Sequence, residues 1–352
     1  MDSNSETGLT SAIQPNWYSR LSWPVVKRLI SALGTALLVW LLLRQIHLAD
    51  IWQLLVRVDV KWMLAGFGWY LLTNVLRSYR FGTLMGVTGI RQPLRLLPEM
   101  IALSFLNNVL PARSGELSFP YLMQRRHGTP VGDSLTYLLI VRIFDLVAVS
   151  TLFVIFAMVE KDTLDPTAGQ AITGVSLLLL PALLFLACIP WLGERGLRAG
   201  EWVLGRLNLA GRKGGQWALD IGQRAVNAMM QVHHVGTYGR VFCWSVLGWL
   251  ATFAWFAAFL QAIHVPVRYP LVVVGATMAT LSKAIPLVTV GGLGAHEAGW
   301  ALGFRLVGMP LATAIASGFV VNILTLLASL VFALSVFLYG KTSRSRRMAP
   351  PA

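Results

Sequence analysis

The chain has 352 residues, of which 56% are hydrophobic and only 12% charged, and its mean hydropathy is +0.64. A soluble domain spends about a quarter of its residues on charge, so a chain this apolar cannot cover its surface with polar side chains, and lipid must be part of its solvent. The net charge of +14 does not point to nucleic acid. Most of the bases sit in short loops beside apolar runs, the distribution that membrane topology and anionic lipid impose. The two cysteines, Cys188 and Cys243, lie in apolar runs and read as small buried hydrophobes, so neither a disulfide framework nor a Cys-rich metal site is expected.

A spanning helix needs roughly 20 residues, which leaves room for about six to nine membrane segments and only short loops. After a polar segment 1–24, apolar segments fall near 25–43, 60–76, 96–111, 134–159, 171–192, 241–263, 269–290 and 311–339. The first resembles a signal h-region, but Arg44 and Gln45 follow directly without a small-x-small cleavage site, so it is read as a retained span. Trp62, Tyr79, Trp191, Tyr238, Tyr269 and Tyr339 mark segment ends, where aromatic rings favour the headgroup level. The long polar stretch 193–240 carries seven bases, among them Arg195, Arg212 and Lys213. Its apolar positions, such as Trp202, Trp217 and Ile221, suit helices lying along the membrane surface. A basic tail, 341–352, closes the chain.

Two segments are apolar yet broken. Residues 96–126 contain Asn107, Asn108, Pro111, Arg113 and Glu116; residues 269–310 contain Lys283, Pro286, Gly291, Gly292, Gly294, His296 and Glu297. Interrupted backbone at membrane depth is tolerated only where protein or a water-filled cavity satisfies the freed groups. Each is either one kinked span or a hairpin that enters and leaves on one side. With a cytoplasmic N-terminus, two hairpins keep most of the 29 bases inside and put the acidic loop 160–170 outside. Two full spans would send the basic loop 193–240 outward, against the positive-inside rule. The expected fold is therefore an all-α polytopic membrane domain over 25–340, with about six full spans and two re-entrant helical hairpins. Its halves, 25–159 and 171–339, each read span, span, hairpin, span and start on opposite sides. That is an inverted-topology repeat, in which paired interrupted segments mark a transport site.

Arg142 and Asp145 lie inside the fourth apolar segment, three residues apart and so on one helix face. A charge at bilayer depth costs roughly 2.5–3.5 kcal/mol. Left unpaired, Arg113, Glu116, Arg142, Asp145, Lys283 and Glu297 would together cost on the order of 15–20 kcal/mol, more than a domain's typical net stability of about 5–15 kcal/mol. They must pair or line water. One reading is a polar cavity between the hairpins, with free backbone N–H groups aimed at a bound anion, Arg113 presenting a fork to phosphate, and Glu116 and Glu297 anchoring it. The other is that Arg142–Asp145 only locks helices. Arg77 and Arg80, one turn apart, suit either lipid phosphate at the cytoplasmic surface or ordinary snorkelling. His233 and His234 lack partners at metal spacing, His296-Glu297 is not an HExxH site, and Gly340-Lys341-Thr342 lacks the glycine-rich loop of a P-loop. No metal, cofactor or catalytic residue is expected.

The stretch Asn107-Asn108-Val109-Leu110-Pro111-Ala112-Arg113-Ser114-Gly115-Glu116, then Arg142 and Asp145, then Gly291-Gly292-Leu293-Gly294 with Glu297, resembles the transmembrane, flippase-like domain of the lysylphosphatidylglycerol synthase family. The likeness runs over about residues 25–340. It implies movement of a lipid with a modified polar headgroup from the inner to the outer leaflet of a prokaryotic cytoplasmic membrane, with both chain termini cytoplasmic. Only twelve residues follow Gly340, so the soluble aminoacyl-transferase domain of the full synthases is not expected here, and neither is synthesis of lysyl-lipid. The expectation is thus a lipid flippase or scramblase, not an enzyme. Membrane lipids would be its partners, and a separate lipid-synthesising enzyme or a second copy of the chain remain open as others. The alternatives are a transporter of a small polar or anionic solute, or a membrane partner of a lipid-modifying enzyme.

Overall fold

The computed structural model describes residues 40–42, 44, 48–85, 92–110, 115–164, 235–282 and 294–348, with a few isolated positions between 169 and 223; side chains are described as far as residue 338. Nine helices of eight or more residues lie within these stretches: α1 (Leu48–Val56), α2 (Val60–Met85), α3 (Leu97–Val109), α4 (Ser118–His127), α5 (Val131–Val159), α6 (Val235–Ala262), α7 (Tyr269–Ser282), α8 (Ala295–Leu306) and α9 (Leu311–Met348). No strand occurs among the described residues, and the fold is all-α.

Among the described residues, three helices are long and apolar enough to cross a membrane: Val131–Val159 and Leu311–Leu338, each with mean hydropathy 2.4, and Gly236–Ala262, with 1.6. A helix that is hydrophobic all round belongs in a core or a bilayer, and α9 shows which. Leu327, Leu330, Leu334, Phe337 and Leu338 are all exposed along it, an apolar face that only hydrocarbon covers without penalty. At 26 residues, α2 is about 39 Å long at 1.5 Å per residue. It runs antiparallel to α6, since Gly66 and Phe67 meet Phe259, Tyr70 meets Trp255, and Tyr79 stacks on Trp244. Gly66 permits the approach: a Cβ there would collide with the Phe259 ring.

The short helices come in pairs. The α7–α8 pair is antiparallel, because Ser282 Oγ donates to Ala295 O at 2.9 Å while Met278 faces Gly299 and Gly275 faces Gly303. Small residues let the two backbones touch, as in membrane helix pairs generally. The α3–α4 pair also folds back, with Gly115 against Leu106 and Asn107 and Arg126 Nη1 2.9 Å from Glu99 Oε1. Each pair then turns into a long helix through a left-handed glycine. Gly128 (φ 68) leads to Pro130 and α5, and Gly308 (φ 82) leads to Pro310 and α9. Glycine carries no Cβ penalty there, and proline pre-sets the φ of the next helix start.

The pairs also dock crosswise, α3 against α9 and α7 against α5. Two ties join the loops at one end of the bundle. Arg268 Nη2 reaches Glu160 Oε2 at 2.9 Å, and His264 Nε2 lies 3.0 Å from Arg57 O.

Several expectations change. The segment ending at residue 76 continues as helix to Met85, because Arg77 and Arg80 are accommodated inside the bundle rather than left at its surface. Of the segment 269–290, α7 covers Tyr269–Ser282 and residues 283–290 lie outside the described residues, while α6 already starts at Val235, inside the stretch read as loop. Cys243 is exposed, not buried, since an apolar run does not reveal which face of a span looks out at lipid. The segment 25–43 lies outside the described residues save for 40–42, and 171–192 and the basic loop 193–234 save for isolated positions; Cys188 is among those not described.

Candidate functional site

On α2, Tyr70, Asn74 and Arg77 recur at helical spacing and share a face. Asn74 Nδ2 donates to Tyr70 O at 2.9 Å, and its Oδ1 accepts the Ser104 hydroxyl of α3 at 2.6 Å. Arg77 Nη1 in turn donates to Ser104 Oγ at 3.0 Å. The Asn74 amide and the Ser104 hydroxyl are tolerated at this depth because each meets a partner.

One turn on, Arg80 Nη1 lies 2.5 Å from Asp145 Oδ1 of α5 and donates to Ser245 Oγ of α6 at 3.3 Å. The same Asp145 oxygen accepts the Trp249 indole N–H at 2.8 Å. Its other oxygen is 3.5 Å from Arg142 Nη1. Arg142 then turns its fork to Glu116, with Nε donating to Oε2 at 3.3 Å and Nη2 donating to Oε1. A bidentate guanidinium–carboxylate pair fixes orientation as well as charge. The result is a relay, Arg80–Asp145–Arg142–Glu116, tying α2, α5 and α6 to the first residues after the break in the α3–α4 pair. Side-chain exposure is 6% at Arg80 and 12% at Asp145 but 38% at Arg142 and 22% at Glu116, so the Arg80 end is sealed in protein and the Arg142–Glu116 end is the more open.

At the second break the chemistry differs. Glu297 is fully buried. One of its carboxylate oxygens accepts the Gly294 backbone N–H at 2.7 Å, and the other accepts Asn322 Nδ2 of α9 at 2.7 Å. A carboxylate closing the first turn of α8 satisfies an orphan donor and favours the positive helix end. His296, next to it, packs against Phe256 and Trp300.

Of the residues singled out by motif, Glu116, Arg142 and Asp145 are thus brought into one network, while Glu297 and Gly294 are joined at a second place. Asn107 and Asn108 sit in the last turn of α3, and Asn107 Oδ1 is buried without a hydrogen-bond partner among the described residues. Arg113, Lys283, Gly291 and Gly292 lie outside the described residues. The motifs do not disclose Arg77, Arg80, Ser104, Ser245, Trp249 or Asn322. The signal available was the helical spacing of the polar residues Tyr70, Asn74 and Arg77.

These features meet in a family. A family model described as the lysylphosphatidylglycerol synthase TM region matches residues 25–333. The chain belongs to that family. Among curated proteins it is similar to one named glycosyltransferase AglD, from Haloferax volcanii, at 26% identity over 176 residues. That match takes in 48% of this chain and 28% of the archaeal protein, so the chain spans well under a third of that relative's length. Membership of the lysylphosphatidylglycerol synthase TM region family, together with the long apolar helices, places the protein in a membrane.

Proposed function

We propose that the protein carries a polar-headgroup lipid between the leaflets of a prokaryotic cytoplasmic membrane, as a flippase or scramblase without catalytic chemistry of its own. The observation that carries this reading is the Arg80–Asp145–Arg142–Glu116 relay, which sits within apolar helices and opens beside a break in the α3–α4 pair. Ionised groups inside a membrane domain mark substrate pathways by default, and irregular backbone persists at that depth only beside a cavity. Arg113 and the glycines 291–294, at the two breaks, are proposed to complete the headgroup's path.

Transport by alternating exposure suits the helix order. Long, short, short, long occurs twice: α2 to α5, then α6 to α9. The contacts exchange as a two-fold axis requires, α3 on α9 matching α7 on α5, and α4 on α5 matching α8 on α9. The antiparallel course of α2 and α6, the first helix of each set, supports an inverted repeat with its axis across the bundle. The α3–α4 pair is then a hairpin entered from the cytoplasm and the α7–α8 pair one entered from outside, with both termini cytoplasmic. The ties Glu160–Arg268 and His264–Arg57 join loops that this topology puts on the outer side.

Lipid is favoured over a small solute by a groove of about 450 Å³ between α2 and α6. It is lined by Trp69, Leu72, Leu76, Leu247 and Leu250 and opens on the bundle's apolar flank, so acyl chains have a place there while the headgroup passes inside. A second reading, a membrane partner for a lipid-modifying enzyme, draws on the Haloferax volcanii relative, whose name concerns glycosyl transfer and which extends far beyond the match. Proteoliposomes carrying fluorescent phospholipid or polyprenyl lipid, quenched from outside, test the proposal. Loss of the protected inner-leaflet signal beyond that of empty vesicles is expected, and equal protection across the panel would overturn the flippase reading.

A further inference from the structure

Three guanidinium groups, Arg77, Arg80 and Arg142, interact electrostatically across α2 and α5, together with Asp145. Two carboxylates, Asp145 and Glu116, bind Arg80 and Arg142. Arg77 has no ion-pair partner among the described residues; its hydrogen bond goes to the neutral Ser104 hydroxyl. It is half-buried, so much of its water has been stripped. Two turns away on the same face of α2, the Tyr70 hydroxyl is buried and lacks a hydrogen-bond partner among the described residues. A desolvated cation crowded by two others, with a spare hydroxyl donor beside it, is complementary to an anion with several oxygens. The described groups carry three positive and two negative charges, and the excess of one fits a singly charged anion better than a doubly charged one.

We infer that Arg77, backed by Arg80 and Arg142, binds the phosphodiester of a lipid headgroup. The inference rests on the lipid-translocation reading for its choice of a lipid, and it goes further by naming the residue and the chemical class. Asp145 and Glu116 hold Arg80 and Arg142 in place, Ser104, itself bonded to Asn74, holds Arg77, and the phosphodiester supplies the missing negative charge. Headgroup substituents beyond the phosphate lie away from Arg77.

Equilibrium binding to the purified full-length chain in detergent tests this without any leaflet assay. The probe is radiolabelled dihexanoyl phosphatidylglycerol, with unlabelled dihexanoyl glycerol, inorganic phosphate and glycerophosphate as competitors. The labelled lipid is expected to bind and dihexanoyl glycerol not to compete. Arg77→Gln is expected to weaken binding roughly tenfold, as loss of one charge-assisted hydrogen bond implies. Arg77→Lys, which keeps the charge but not the fork and guards against misfolding, should fall between, and Arg125→Gln, at an exposed position, should bind as wild type. Competition by dihexanoyl glycerol at equal strength, with no help from the phosphate, would overturn the inference without recourse to any variant. So would Arg77→Gln binding unchanged while melting lower, the sign of a helix lock, and so would glycerophosphate or inorganic phosphate displacing the lipid fully, the sign of a soluble anion site. Binding without leaflet exchange would sink the flippase reading and leave this site standing, whereas exchange with undiminished Arg77→Gln binding would do the reverse.

Discussion

Asp145 is the residue on which most of the polar interior converges: it accepts from Arg80, Trp249 and Arg142, which come from three helices. Removing its charge strands Arg80, which is buried with an exposure of only 5%. Breaking one side of a buried ion pair costs about 3–5 kcal/mol, mostly through the charge left behind. Asp145→Asn is therefore expected to lower the thermal midpoint sharply in detergent, and Arg80→Gln combined with it to recover much of the loss. A double variant no more stable than Asp145→Asn alone would contradict the pairing. Glu297 makes a different prediction, because its described bonds go to a helix start and to Asn322. Asn322→Leu should cost about 1–3 kcal/mol, the range for losing a hydrogen bond to a buried carboxylate, read as a fall in melting temperature. At this scale the sequence disclosed which residues carry charge, but not their partners. Arg142 and Asp145 are neighbours because three residues make nearly one turn, whereas Arg80 reaches Asp145 across 65 positions of chain.

Among the elements, the tightest approach is between α7 and α8. A Cβ at Gly303 would collide with the Gly275 carbonyl, which is backbone and cannot step aside. Gly303→Leu is expected to split the pair and to destabilise by several kcal/mol, in the range of an overpacked core at about 1–3 kcal/mol or beyond. Gly68→Leu, where nothing lies within 4 Å, should be tolerated; equal losses at the two positions would refute the close packing. The breaks in these short helices were legible from Pro, Gly and charge inside apolar runs, and so was the need to satisfy their freed backbone. Helix length was not, because past residue 76 the helix continues to Met85 although the charge pattern reads as an end. The matched turns Gly128-x-Pro130 and Gly308-x-Pro310 stood in the sequence as a pattern shared by the starts of two long helices. They are too short to register as sequence identity.

At the scale of the whole molecule, an apolar composition with few charges was enough for an all-α membrane protein, since only helices and closed barrels satisfy their backbone in lipid. Topology came from where the bases lie, and it makes a sharp prediction. In a chain with Cys188 and Cys243 replaced by Ser, cysteines at Asp162 and His264 should react with an impermeant maleimide added outside intact cells, and one at Arg126 only after lysis. Labelling of Asp162 and His264 from opposite sides would contradict both the ion pair that joins their loops and the inverted order.

The central claim is that a headgroup pauses at the ionised relay beside the first break. It is tested most directly by leaflet exchange in proteoliposomes for two charge-pair lesions, Glu116→Gln with Arg142→Gln at the relay and Glu160→Gln with Arg268→Gln at the loops, each reconstituted at matched amounts of folded protein. The relay lesion should slow exchange at least about tenfold, the rate equivalent of one lost charge-assisted interaction, with the loop lesion close to wild type. Exchange slowed equally by both, or by neither, would contradict the account.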